Sequence, residues 1–217
     1  MTEPFSLPRV RAMKALPNIL TSMRLVLALF MFVALAAAAG AVPGLAERLS
    51  PPAQFSLERW AVYAFVVAAV TDFFDGWLAR KLNATSVWGA ILDPIGDKVL
   101  VCGAVLGLLA LGPQPMVVLP AGLILFREFT VSALREVGAG KGIKLPVTQL
   151  AKWKTTLQLT ALALELVVAS WGAFSLPDDP GIREPFAWGA HGLFWLAALV
   201  TLITGAQYWD QTRKALS

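Results

Sequence analysis

Long apolar runs, divided by short polar breaks, dominate this chain. Six can be drawn, at about 19–41, 59–80, 87–111, 116–139, 151–174 and 185–209. A helix needs about 20 apolar residues to cross a hydrocarbon core of about 30 Å, and each run approaches or exceeds that length. The pattern predicts an all-α, polytopic membrane protein with six transmembrane helices. The runs leave no room for a separate soluble domain, so residues 1–217 are read as one membrane domain.

Composition agrees with the pattern: 57% of the 217 residues are hydrophobic and 15% charged, with a mean hydropathy of +0.66. The formal charge of +4 raises the question of nucleic acid, but no basic stripe interleaved with aromatics is present. The excess instead follows membrane topology. With six crossings both termini share a side. Arg9, Arg11, Lys14, Arg24, Arg80, Lys81, Lys98, Lys141, Lys144, Lys152, Lys154, Arg213 and Lys214 fall on that side, against Arg48, Arg59 and Arg183 on the other. Lys/Arg excess marks cytoplasmic loops, so both termini are expected in the cytoplasm of a cell with an inner (plasma) membrane. The lone Cys102 lies in an apolar run with no second cysteine for a disulfide or zinc site, and reads as a small core residue.

The first seventeen residues mix basic and apolar positions, as a short interfacial helix on the inner leaflet would. A signal peptide is the competing reading, but the first apolar run is long for one and five comparable runs follow it. Loops are short and rich in turn residues. Gly103 and Gly107 form a small-xxx-small pair that permits close helix packing. Trp60, Trp188 and Trp209 stand near run ends, where tryptophan anchors at the membrane interface.

Against this background the stretch TDFFDGWLARKLNATSVWGAILDPIGDKV is anomalous, because it carries four aspartates. On a helix Asp72, Asp75, Gly76 and Ala79 share a face, so two carboxylates stand beside two residues too small to block a ligand. Asp93 and Asp97, at i and i+4, share a face of the next run. A short connection brings the pairs together at the cytoplasmic ends of neighbouring antiparallel helices. Four carboxylates in a low-dielectric site repel unless a cation joins them. All-oxygen donors without histidine or cysteine select a hard divalent ion, Mg2+ or Mn2+, of the kind that bridges phosphate oxygens. Helix capping is an alternative for Asp93, which precedes Pro94, and an ion relay in a transporter is an alternative for the set. Capping leaves the two spaced pairs unexplained, and a relay needs deeper sites with access from both sides.

Further cations inside apolar runs are Arg127 and Arg135, in ILFREFTVSALREVG, and, at the start of the fifth run, Lys152 and Lys154, in LAKWKTT. Glu128 and Arg135 lie on nearly the same helix face, which allows Glu128 to neutralise Arg135, and lysines at a helix end snorkel toward water. Four cations beside a metal site also suit a phosphorylated acceptor. His191 reads as a packed or interfacial side chain. Glu165, deep in LALELVV, reads as an interhelical hydrogen-bonding or protonated acid.

The series Asp72-x2-Asp75-Gly76-x2-Ala79-Arg80-x8-Gly89-x3-Asp93-x3-Asp97 matches, at every specified position, the motif of the CDP-alcohol phosphatidyltransferases, which the chain therefore resembles. The resemblance implies a homodimeric six-span enzyme that transfers a phosphatidyl group from CDP-diacylglycerol to an alcohol, releasing CMP with the aid of a divalent metal. It implies metal ligation by Asp72, Asp75, Asp93 and Asp97, with Asp97 also the general base, and a CDP-diacylglycerol site lined by Gly76, Arg80 and Ser86. From about Leu16 to Thr160, the stretches LPNILTSMRLVLALFMF, ILDPIGDKVLV, REFTVSALRE and AKWKTTLQL resemble the branch whose acceptor is sn-glycerol-3-phosphate. That adds Asn18 and Thr21 on the nucleotide side, and Arg127, Arg135, Lys152 and Lys154 on the acceptor phosphate. Ala151 stands where the family usually has glycine. Branches that make cardiolipin or a phosphatidylinositol phosphate are the alternatives.

Overall fold

The computed structural model describes residues 8–82, 87–142 and 149–216, with side chains for 19–72, 92, 94–142 and 153–215. These residues form six α-helices: α1 Pro8–Ala38, α2 Pro51–Leu82, α3 Val87–Leu111, α4 Pro115–Gly140, α5 Gln149–Ala169 and α6 Pro180–Leu216. Short 3-10 turns follow α1 (Ala46–Arg48) and α5 (Trp171–Phe174). Four of the helices, α1, α3, α4 and α6, contain stretches long and apolar enough to cross a membrane among the described residues. The protein is thus an all-helical, multi-pass membrane protein. The expected interfacial helix is not a separate element: from Pro8 onward the basic stretch runs on into α1.

Turn chemistry explains where the helices start and stop. α2, α4 and α6 begin on proline, whose missing N–H costs nothing in a first turn. Before α6, Asp179 accepts a hydrogen bond from Gly181 N–H at 2.8 Å, which satisfies one of the unpaired donors of that turn. α1 ends where Gly40 takes φ +72°. That left-handed residue lets Gly40 N–H reach the Ala37 carbonyl and Ala41 N–H the Ala36 carbonyl, closing the helix end.

The helices pack as two groups of three. α1 lies along α2 and α3, α6 lies along α4 and α5, and the groups meet chiefly through α5 against α2 and α3. Gly103 and Gly107 serve the first group: a Cβ on Gly103 would come within 3.0 Å of Met31 Cε, and one on Gly107 would overlap Leu35. The small-residue pair therefore brings α3 against α1 within one chain. Apolar side chains such as Met31, Phe65, Leu100, Ile124, Leu162 and Phe194 fill the interior, yet equally apolar ones, Val26 and Phe126 among them, cover the outside. Charged and polar groups are found inside instead, including Arg24, Arg127, Lys154, Gln158 and Glu165. Such an inside-out distribution suits hydrocarbon as solvent.

Candidate active site

The acidic face is organised by a residue that entered the sequence reading only as a topology charge. Arg24, on α1 and 1% exposed, directs Nη1 to Asp72 Oδ1 of α2 at 2.7 Å and to Asp97 Oδ1 of α3 at 3.0 Å. Gly96 lies against the Arg24 side chain; a Cβ there would come 3.7 Å from Arg24 Cδ. Two carboxylates from neighbouring helices thus converge on one cationic nitrogen. Their oxygens face a common point at which positive charge is accommodated. A donor set of carboxylate oxygens alone is of the kind that suits a hard divalent metal. Thr21, one turn before Arg24 on α1, is buried. Asp75, Gly76 and Arg80 lie on α2 and Asp93 on α3, but their side chains fall outside the described residues, as do those of Asn18 and Lys152 and the whole of Ser86. Among the described residues no group of three or more metal-ligating side chains occurs.

The basic face is built by α4, α5 and α6. Arg127 donates from Nε to the Thr201 carbonyl at 3.2 Å and from Nη2 to Thr204 Oγ1 at 3.1 Å. Its Nη1 lies 3.4 Å from Glu128 Oε1, and Lys154, 5% exposed, donates from Nζ to that same oxygen. Arg135 behaves differently from the sequence expectation. Its Nη2 donates to the Tyr208 hydroxyl at 2.8 Å, and its guanidinium stands 4.9 Å above the Tyr208 ring. Glu128 is one side chain with two claimants already, so Arg135 is held by an aromatic face and a phenol oxygen instead.

Both faces border one cavity of about 290 Å³. Asp72, Asp97, Leu100 and Val101 form one wall; Arg127, Glu128, Arg135, Lys154, Thr155 and Gln158 form the other. The structure thus brings five sequence-selected site residues, Asp72, Asp97, Arg127, Arg135 and Lys154, to one space. Glu128 joins them as an ion-pair partner of Arg127 and Lys154. Sequence reading missed Arg24, Gln158, Thr201, Thr204 and Tyr208. A signal existed for the last three: Thr201, Thr204 and Tyr208 recur at helical spacing in TLITGAQY, a polar stripe on an apolar helix. Glu165 and His191 lie elsewhere and meet each other, His191 Nδ1 standing 2.9 Å and 3.1 Å from the two carboxylate oxygens.

An acid-lined wall facing a cation-lined wall inside an apolar bundle is chemistry for phosphate-bearing lipids, and comparison with known proteins agrees. A CDP-diacylglycerol--glycerol-3-phosphate 3-phosphatidyltransferase from Cereibacter sphaeroides is 37% identical over 93% of this chain and 96% of its own. Proteins of the same name from Rickettsia bellii and Escherichia coli K12 are 43% and 40% identical, covering 69% and 72% of this chain and 77% and 82% of theirs. Residues 14–205 match the CDP-alcohol phosphatidyltransferase family, whose members generally use divalent metal ions. With that match spanning most of its length, the chain belongs to the CDP-alcohol phosphatidyltransferases.

Proposed function

We propose that the protein is a membrane transferase that moves the phosphatidyl group of CDP-diacylglycerol onto the 1-hydroxyl of sn-glycerol-3-phosphate, giving phosphatidylglycerophosphate and CMP. The observation that carries this reading is a cavity with carboxylates on one wall and cations, among them the buried Arg127 and Lys154, on the other. The names of its relatives point the same way.

The division of labour follows from charge. Asp72, Asp75, Asp93 and Asp97 would hold Mg2+ or Mn2+, which would supply positive charge against the negative charge of phosphoryl transfer. Asn18, Thr21, Gly76, Arg80 and Ser86 line the nucleotide side. Arg127, Arg135, Lys152 and Lys154 bind the acceptor phosphate, for which cations with spare N–H donors are suited. The acceptor hydroxyl then lies between the walls. As its oxygen forms a bond to the phosphorus that carries diacylglycerol, Asp97 takes its proton and the bond from that phosphorus to the CMP oxygen breaks. Six spans in one 217-residue domain, with both termini in the cytoplasm of the inner membrane, put this chemistry at the headgroup level, where CDP-diacylglycerol and soluble glycerol-3-phosphate meet. A homodimer, which the family resemblance implies, would use a surface other than the Gly103–Gly107 face, since α1 covers it.

The test is CMP release from CDP-diacylglycerol with a panel of acceptors. Glycerol-3-phosphate is expected to support turnover, and phosphatidylglycerol or inositol phosphate is not; no CMP with any acceptor would favour a transporter. In the same assay Arg127→Ala should raise the KM for glycerol-3-phosphate at least about tenfold, the scale of one lost charge-assisted hydrogen bond. The KM for CDP-diacylglycerol should change little. Equal rises in both would remove Arg127 from the acceptor side.

A further inference from the structure

We propose that one face of α6, formed by Thr201, Thr204, Gly205 and Tyr208, is the platform that positions Arg127 and Arg135 and so sets how strongly the enzyme prefers a phosphorylated acceptor. The proposal rests on the acceptor reading given above and extends it to a helix beyond the stretches on which the sequence resemblance stands.

The four residues occupy i, i+3, i+4 and i+7, one continuous stripe on a helix. Each does something different to the arginines. The Thr201 carbonyl accepts from Arg127 Nε at 3.2 Å. Thr204 Oγ1 accepts from Arg127 Nη2 at 3.1 Å, and its own proton is directed back at backbone carbonyls, Thr201 at 2.9 Å and Val200 at 3.0 Å. A hydroxyl whose proton is committed in this way offers the guanidinium only lone pairs. Gly205 supplies a groove: a Cβ there would come 2.9 Å from Arg127 Cγ, closer than side chains tolerate. Tyr208, 1% exposed, accepts from Arg135 Nη2 at 2.8 Å. Its ring lies under both guanidinium groups, at 4.9 Å for Arg135 and 5.8 Å for Arg127.

Two guanidinium groups sharing one ring repel each other, and with Arg127 buried and Arg135 exposed, water screens that repulsion from one side only. The platform holds them by their back edges with oxygen lone pairs and a π face. Each guanidinium carries more N–H donors than α6 and Glu128 engage, and both residues line the cavity. A phosphate dianion can then collect hydrogen bonds from two fixed cations, whereas an alcohol without phosphate gains nothing from either. Loosening the platform should therefore erode discrimination between acceptors and leave the nucleotide side intact.

The experiment uses the full-length enzyme in lipid nanodiscs, with CMP release as readout, and compares Tyr208→Phe, Gly205→Ala and the control Trp209→Phe, an exposed neighbour on the same helix. Tyr208→Phe keeps the ring and removes only the hydroxyl, so folding is preserved even if Gly205→Ala packs badly. Each of the two platform variants should raise the KM for glycerol-3-phosphate about tenfold and lower the preference for glycerol-3-phosphate over glycerol. The KM for CDP-diacylglycerol should stay within about twofold, and Trp209→Phe should resemble the unaltered enzyme. Parallel changes in both KM values, a change in kcat alone, or no change would overturn the platform while leaving the acceptor reading in place. An unaltered enzyme that does not use glycerol-3-phosphate would refute both.

Discussion

The two three-helix groups treat charge in opposite ways. In α1–α3 the counter-ion is hidden and the functional groups are open: Arg24 is 1% exposed, while the Asp72 and Asp97 side chains are 30% and 57% exposed. In α4–α6 two functional cations are hidden, the Arg127 and Lys154 side chains being 7% and 6% exposed, and their counter-ion Glu128 is the more open at 20%, while Arg135 stands exposed at the end of the row. Like charges cannot gather in a low-dielectric bundle without an opposite charge among them. Where that opposite charge stands decides what the cluster can do. Open carboxylates over a buried arginine can take up a second cation from the cavity side. Buried cations fixed by a helix face can only receive a ligand.

The largest effect that would sharpen this contrast comes from Asp97→Asn. The substitution keeps size and leaves Asp72 to pair with Arg24, but it removes both a metal-ligating charge and the proposed base. CMP release should fall by about 10³ or more, while thermal unfolding in detergent stays near that of the unaltered protein. Turnover close to the unaltered rate would take Asp97 out of the chemistry and leave the acid wall as a structural ion pair.

A smaller effect tests whether Arg24 and a divalent ion answer the same need. Arg24→Met removes the cation that joins Asp72 to Asp97 while keeping much of the stem volume. Losing one partner of a fully buried pair costs about 3–5 kcal/mol. The carboxylates here are partly solvated, so about 2 kcal/mol is the expected loss in EDTA. Added Mg2+ or Mn2+ should then raise the melting temperature of the variant more than that of the unaltered protein, because the ion supplies the missing charge. An equal rise in both would mean that guanidinium and metal act independently.

Much of this division was legible in the sequence, for identifiable reasons. The apolar runs place the helices, although α2 and α6 start at Pro51 and Pro180, before the runs drawn from about residues 59 and 185, and the aspartates stand out because charge is costly in such runs. The partners of the charges were less legible. Glu128 and Arg135 share a helix face, yet Glu128 pairs with Lys154 from α5 and Arg135 with Tyr208 from α6. Spacing along one helix cannot register a neighbour that arrives from another. Arg24 was hidden for a related reason: positioned near the end of an apolar run, it looks like one more cytoplasmic charge until α2 and α3 bring Asp72 and Asp97 to it.

The smallest effect marks where the comparison stops. Glu165 and His191 form a third buried pair, between α5 and α6, but Glu165 lies eleven positions beyond Lys154, about 16 Å along the helix at 1.5 Å per residue. No residue of the cavity wall contacts it in the hydrogen bonds and ion pairs described, and Trp188 packs its ring edge against His191. Glu165→Leu should destabilise the bundle by about 1–3 kcal/mol, because the buried imidazole loses its hydrogen-bond partner. Glu165→Gln, whose side-chain amide can accept from or donate to His191 Nδ1, should recover most of that loss. Neither change should move the KM for glycerol-3-phosphate. A raised KM at restored stability would show that the register of α5 against α6, set at this far pair, reaches Lys154, and the basic wall would then depend on the whole length of the α5–α6 contact rather than on the α6 stripe beneath its arginines.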